Sequence, residues 1–295
     1  MKSRDPIRLA GIIVAVALSL ALSACSAIKL GYNALPELAY FWLDGYADFN
    51  EQQEPLVRGE IARLHAWHRR QELPRLAQLV AQMEQLAPQE ITPQQACNVV
   101  SDVQARMQVA LDLLGPAVGT VAVSFTEPQL HHMERKFRRS NDKFRKEWVT
   151  ASAAEVQERR FDQTLDRLEM IYGRLDEPQR AVLRQGLAQS SYDAARILAD
   201  RQRRQQDLLQ VLRQVSRSHV TPEEARAQLH AWLDRALHAP DPAYRTWQEG
   251  LVQEGCRIFS AVHHSTTPAQ REQAVKRLRA YQRDFRDLSG QAQLQ

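Results

Sequence analysis

Nine histidines and three cysteines are the residue types in this chain best able to do chemistry. His65 and His68 stand three apart in "LHAWHRR", a spacing that brings both to one helix face, where they could face a single ion. "HHMER" offers His131, His132 and Glu134, and "VHHS" offers the adjacent His263 and His264. A catalytic or structural metal needs three or four converging ligands. The sequence supplies pairs with no common meeting point, so packing or hydrogen-bonding roles are expected for these side chains, with no metal and no cofactor. No Gly-rich phosphate loop, G-x-S-x-G elbow or H-E-x-x-H pair occurs. No catalytic residue is assigned, and a non-enzymatic role is expected. An enzyme with an unfamiliar site remains an alternative, which a deep pocket joining His65, His68 and acidic side chains would favour.

The cysteines carry more information. Lys2, Arg4 and Arg8 precede an apolar run, "LAGIIVAVALSLAL", from Leu9 to Leu22. A membrane-spanning helix needs about twenty apolar residues, so this run has the pattern of a secretory leader. "LSAC" then ends at Cys25 and resembles a bacterial lipobox. That resemblance implies cleavage before Cys25 and acylation of the new terminus, and several acyl chains hold a protein stably on a bilayer. Ser26, in place of the aspartate that marks inner-membrane retention, points to the outer membrane. The expected division is a signal peptide over 1–24, a lipidated terminus and short tether over 25–33, and a helical domain over 34–295. Cys97 and Cys256 are then the two cysteines left in an oxidising compartment, where pairing is favoured. Closing so long a loop would add roughly 3–5 kcal/mol. Two separate buried thiols are the alternative.

The elements that must position these residues are helices. Phe161, Leu165, Leu168, Ile171 and Leu175 recur at steps of three and four, as do Leu73, Leu76, Val80 and Met83. "TPQQ" at Thr92, "TEPQ" at Thr126, "DEPQ" at Asp176, "TPEE" at Thr221 and "TPAQ" at Thr267 each join a capping residue, an early proline, and Gln or Glu three residues on. The cap oxygen accepts from a free backbone N–H, and the Gln or Glu reaches back to the cap's own N–H. Proline loses little there because its missing N–H had no helical partner. "DPAY" at Asp241 is a weaker start. Helices are predicted over 51–87 with a bend near Pro74, 93–114, 127–149, 151–173, 177–217, 222–238, 242–264 and 268–288, after an aromatic-rich segment at 34–46. The class is all-α, an elongated antiparallel bundle with long helices.

"FRRSNDKFRKEW", from Phe137 to Trp148, interleaves aromatic and basic residues. From Glu134 to Trp148 there are seven basic and three acidic residues. Phe137, Phe144 and Trp148 form one helical stripe, with Arg138, Arg139, Lys143 and Lys146 projecting sideways or outward. A nucleic-acid surface is excluded by the compartment, and ATP-driven activity is disfavoured there. The candidate partner for these four cations is an acidic envelope protein or anionic lipid; the simpler alternative is a solvated face over a core stripe. The net charge of +4 falls to about +2 once Lys2, Arg4, Asp5 and Arg8 are removed, leaving 36 basic and 34 acidic residues.

"LGYNALPELAYFWLDGYADFNEQQ" from Leu30 and "LHAWHRRQELP" from Leu64, with "KFRRSNDKFRKEW" and "ERRFDQTLDRLEMIYGRLDEPQ", resemble a family of uncharacterised proteobacterial lipoproteins defined by a domain of unknown function. The resemblance implies a helical outer-membrane lipoprotein and brings no catalytic residues. "ITPQQ" at Ile91 and "LDEPQ" at Leu175 resemble an element of small periplasmic helical chaperones, although a capping box explains both. The R-x-x-F-D signature of a membrane-tethered lipase foldase fails, because Glu158 stands three before Phe161. The expected role is binding or organising envelope components. A chaperone for unfolded clients is the runner-up, favoured by an apolar concave face fringed with basic residues.

Overall fold

The computed structural model describes residues 28–113, 115–218 and 220–290, and Cys25 lies outside them. Among the described residues there are helices and short connections, with no strand. Helix α1 covers 28–47. It is followed by α2 (Gln53–Trp67), α3 (Leu73–Leu86), α4 (Pro93–Asp112), α5 (Pro116–Val123), α6 (Glu127–Phe144) and α7 (Ala153–Tyr172). The chain continues through α8 (Glu177–Ala188), α9 (Ala194–Arg217), α10 (Pro222–Leu237), α11 (Pro242–Ser265) and α12 (Pro268–Gly290).

The proline-containing starts work as their chemistry requires. Gln95 N–H donates to Thr92 Oγ1 at 3.2 Å, and Thr92 N–H donates back to Gln95 Oε1 at 2.9 Å. Asp176 with Gln179, Thr221 with Glu224 and Thr267 with Gln270 repeat the exchange. Ser152 with Glu155 forms a further box without proline. The capping glutamines also reach across the fold. Gln179 Nε2 donates to Gln270 Oε1 at 2.7 Å and to Ser265 C=O at 2.9 Å, so the starts of α8 and α12 hold each other. Gln129, at the start of α6, donates to Asp48 C=O at 2.7 Å and to Gln53 Oε1 at 2.7 Å.

The bend near Pro74 is a π-helical turn over His68–Glu72, in which Leu73 N–H bonds to His68 C=O five residues back. Proline offers no N–H and its ring crowds the preceding turn, and a π-bulge relieves both. A second π-turn, Arg145–Val149, ends α6.

Three expectations are corrected. The segment 177–217 is two helices, because "QSSYD" breaks it. Glu254 of α11 accepts from Ser190 Oγ at 2.8 Å and Ser191 N–H at 3.0 Å, and Asp193 caps α9. The longest helices, α9 and α11, therefore have 24 residues each and span about 36 Å. Residues 28–33, expected as tether, are helical, as is the aromatic segment after them. Finally, the short helix α5 was not anticipated: Gly115 and Pro116 start it, and its apolar residues carry no 3.6-residue polar face.

The helices pack around two main cores. One joins Phe161, Leu165 and Leu168 of α7, Leu183 of α8, Val262 of α11 and Leu278 of α12, with Val80 and Met83 of α3 against it. The other joins Ala47 of α1, Ala122 of α5, Leu130 and Met133 of α6, Leu212 and Val215 of α9, and Ala225 of α10. Between α5 and α10 the approach is close enough to demand glycine. A Cβ on Gly119 would stand 1.9 Å from Pro222 C=O.

Candidate ligand cavity

Beside the second core lies a cavity of about 710 Å³. Small molecules and cofactors occupy cavities of roughly 300–1,000 Å³ that are mostly apolar with a few placed polar groups. Here α1 contributes Trp42, Leu43 and Tyr46, α2 contributes Val57, Ile61 and Leu64, and α5 contributes Val118 and Val121. Met133 and Phe137 of α6, Leu208 and Leu212 of α9, and Trp232 of α10 complete the apolar wall. Trp42, Leu43 and Leu56 both line the cavity and are exposed, so they form its mouth.

Polar groups in the lining are few. Glu60 accepts from Arg63 Nη2 at 2.6 Å and from Gly115 N–H at 2.5 Å. The Arg63 hydrogen bond, reinforced by that amide, outweighs burial and holds the Glu60 carboxyl below its ordinary range, so it is an ionised and satisfied group. Arg204 Nε stands 2.9 Å from Asp200 Oδ2, and the Arg204 C=O accepts from Trp232 Nε1 at 3.1 Å. Arg201 differs. Its Nη2 donates to Ser140 Oγ at 2.5 Å and its guanidinium lies 5.7 Å from the Phe144 ring centre, yet no carboxylate pairs with it among the described residues. Gln205 is fixed by Asn141 Nδ2, 2.7 Å from its Oε1. Among the described residues the lining holds no histidine, cysteine, serine or threonine. The arrangement can enclose an apolar body and meet an anion at Arg201; it presents no nucleophile with an adjacent base.

The histidines singled out by spacing lie elsewhere. His65 Nε2 is 3.1 Å from Tyr32 C=O, and that carbonyl can only accept, so the ring donates there. His68 Nδ1 is 2.9 Å from the Tyr32 hydroxyl. The pair fastens α1 to α2, and Tyr32 meets both rings. Burial lowers the pKa of both. His132 Nε2 donates to Gly45 C=O at 3.2 Å, and His131 lies beside Glu127 and Glu134. His264 pairs with Glu90 at 2.7 Å. His263 is fully buried: Nε2 donates to Gln89 C=O at 2.6 Å, and the Tyr172 hydroxyl donates to Nδ1 at 2.8 Å. Among the described residues no group of three or more His, Cys, Asp or Glu is placed to hold a metal ion.

Cys97 and Cys256 form a disulfide, with Cα atoms 5.4 Å apart, tying α4 to α11. Arg138, Arg139, Lys143 and Lys146 are all exposed on α6 and the π-turn after it. Lys143 lies 3.9 Å from Glu147. The aromatic stripe beneath them is divided. Phe137 faces the cavity and meets the Tyr46 ring at 5.7 Å, while Phe144 and Trp148 stack on each other at 6.1 Å. The π-turn shifts Trp148 off the α-helical register, where it meets Tyr192 at 6.3 Å.

Residues 45–231 match a family of unknown function, DUF6279, over more than half of the chain. The chain belongs to that family. No curated protein and no solved structure matches it. The matched residues include every described cavity-lining residue except Trp42, Leu43 and Trp232, whereas Cys256, α11 and α12 fall beyond them. The cavity, then, is built almost wholly from the family's own segment. Sequence reasoning had no signal for it beyond the aromatic-rich segment around Trp42, because its walls come from six helices distant in the chain.

Proposed function

We propose that this chain is a non-enzymatic lipoprotein, held on the periplasmic face of the outer membrane through lipid on Cys25, that binds the acyl chain of an anionic envelope amphiphile in its cavity. The observation that carries the reading is an apolar cavity of about 710 Å³ whose lining includes one arginine, Arg201, with no carboxylate partner among the described residues. Apolar burial is worth about 25 cal/mol per Å², so the walls hold the chain. A guanidinium forms strong charge-assisted hydrogen bonds to a carboxylate or phosphate, which selects the head group. Four further cations, Arg138, Arg139, Lys143 and Lys146, stand exposed on α6, which supplies Phe137, and on the π-turn after it. They suit an anionic lipid surface or an acidic envelope protein.

The test is saturable binding of a fluorescent fatty acid by the purified protein, displaced by palmitate and lysophosphatidylglycerol. Filling the cavity with Val118→Trp and Leu208→Trp should abolish binding while leaving the helical circular dichroism unchanged. Arg201→Gln should weaken the anionic ligands about 10- to 100-fold, the range for a hydrogen bond to a charged group, and leave a neutral monoacylglycerol unaffected. Absence of saturable binding refutes the reading. A chaperone for unfolded clients is the second reading, favoured by the same apolar lining beside arginines. It predicts that the purified protein suppresses aggregation of unfolded clients and that palmitate, competing for the same lining, reduces that suppression.

A further inference from the structure

Helix α1 leaves an apolar face uncovered. Leu30 is 69% exposed, Leu38 58%, Phe41 78% and Trp42 63%. At 100° per residue these four, with Leu35, fall within about 140° of one another around the helix axis. Ala34 and Gly45 lie inside the same arc. The opposite side is committed to the fold: Tyr40 and Ala47 are buried, and Tyr32 is bonded by His65 and His68. Glu37, at the margin of the arc, is charge-compensated by Arg58 at 2.7 Å. From Leu30 to Trp42 the face is about 18 Å long at 1.5 Å per residue. Scattered surface leucines need no explanation, but a continuous apolar face with two large aromatics at one end marks an interaction site.

We propose that this face lies in the interfacial layer of a lipid bilayer, with α1 parallel to the membrane plane. The chain itself points to this occupant. The apolar run from Leu9 to Leu22 ends three residues before Cys25, and α1 is already helical at residue 28. Acylation of Cys25 and retention of the apolar run both bring this end of the chain to a bilayer. The face that follows within five residues of Cys25 must then lie against lipid or be turned away from it. An amphipathic helix in that position buries its apolar side among head groups and upper acyl chains, and tryptophan prefers that layer. Trp42 also stands at the cavity mouth, so this docking would open the cavity toward the bilayer. The proposal does not depend on what the cavity binds, because Leu38 and Phe41 are not among its lining residues.

The test uses the full protein purified from membranes and reconstituted in phosphatidylcholine vesicles carrying brominated acyl chains. Tryptophan fluorescence should be quenched, and Trp42→Phe should remove the quenched component. The double variant Leu38→Glu, Phe41→Glu should also lose that quenching while keeping the helical circular dichroism of the parent. Quenching that survives the double variant would mean that lipid reaches Trp42 only through the cavity, and would overturn the proposal. So would an unquenched Trp42, whether the face is covered by the chain's own apolar run or by a second copy; sedimentation at several concentrations identifies the latter.

Discussion

Removal of the disulfide should cost this protein a large part of its stability without altering its folded structure. Cys97 and Cys256 are separated by 159 residues. The loop-entropy relation for such a closure gives about 5 kcal/mol at 25 °C, arising in the unfolded chain. In the folded chain the neighbouring contacts persist without the bridge. Ser260 Oγ donates to Ile91 C=O at 2.6 Å, His263 donates to Gln89 C=O at 2.6 Å, and Arg271 pairs with Glu90 at 2.7 Å. These bonds fix the turn before α4 against α11 and α12. Farther along, α4 has little hold of its own, because Val100, Val103 and Met107 are exposed. With a urea m-value of about 2.5 kcal/mol/M, the double variant Cys97→Ala, Cys256→Ala should unfold at a urea midpoint about 2 M lower. Its native circular dichroism should be unchanged and its m-value larger, since an uncrosslinked unfolded chain exposes more surface. Amide exchange should rise first in the second half of α4. A midpoint within about 0.5 M of the parent, a quarter of the expected shift, would refute the reasoning, because it would place almost no stabilisation in the loop constraint.

Four further outcomes are expected. Burial holds the pKa of His263 below that of a free histidine, and those of His65 and His68 likewise, whereas each takes its proton near 6.5 once unfolded. The unfolded chain therefore binds more protons as the pH falls through about 6.5, so stability is full above that pH and declines below it; the urea midpoint should drop between pH 7.5 and 5.5, and His263→Gln should flatten that slope. Gly119→Val should destabilise by about 1–3 kcal/mol through overpacking, because its side chain meets the Pro222 carbonyl, and should also impair cavity binding; thermal unfolding and ligand titration measure both. Gln129→Ala removes a buried bond to Asp48 C=O and the capping partner of Thr126, and should cost about 1–3 kcal/mol in urea titration. Reversing Arg138, Arg139 and Lys143 to glutamate should change stability by less than about 0.5 kcal/mol, while reducing co-sedimentation with phosphatidylglycerol vesicles in a salt-sensitive manner; unchanged co-sedimentation would leave these residues as a solvated face.

What could be read from the chain alone was local. A capping box needs four consecutive residues and a stripe needs two turns, so Thr92, Thr126, Asp176, Thr221 and Thr267 marked helix starts correctly, and the Phe161–Leu165–Leu168 stripe reached a core. The bend before Pro74 was equally local, because a missing N–H has the same consequence in any fold. Only tertiary structure decided the rest. "QSSYD" ends one helix and begins another because Glu254 and the Trp247 indole, about sixty residues later, satisfy its polar groups. His65 and His68 had spacing suited to an ion, but their partner is Tyr32, which reaches them from another helix. The cavity has no local signature either: apolar residues on the helices around it give the same sequence pattern whether they meet each other or leave a space between them. Periodicity records which side of a helix turns inward, whereas the distance between inward sides depends on residues the local pattern does not contain.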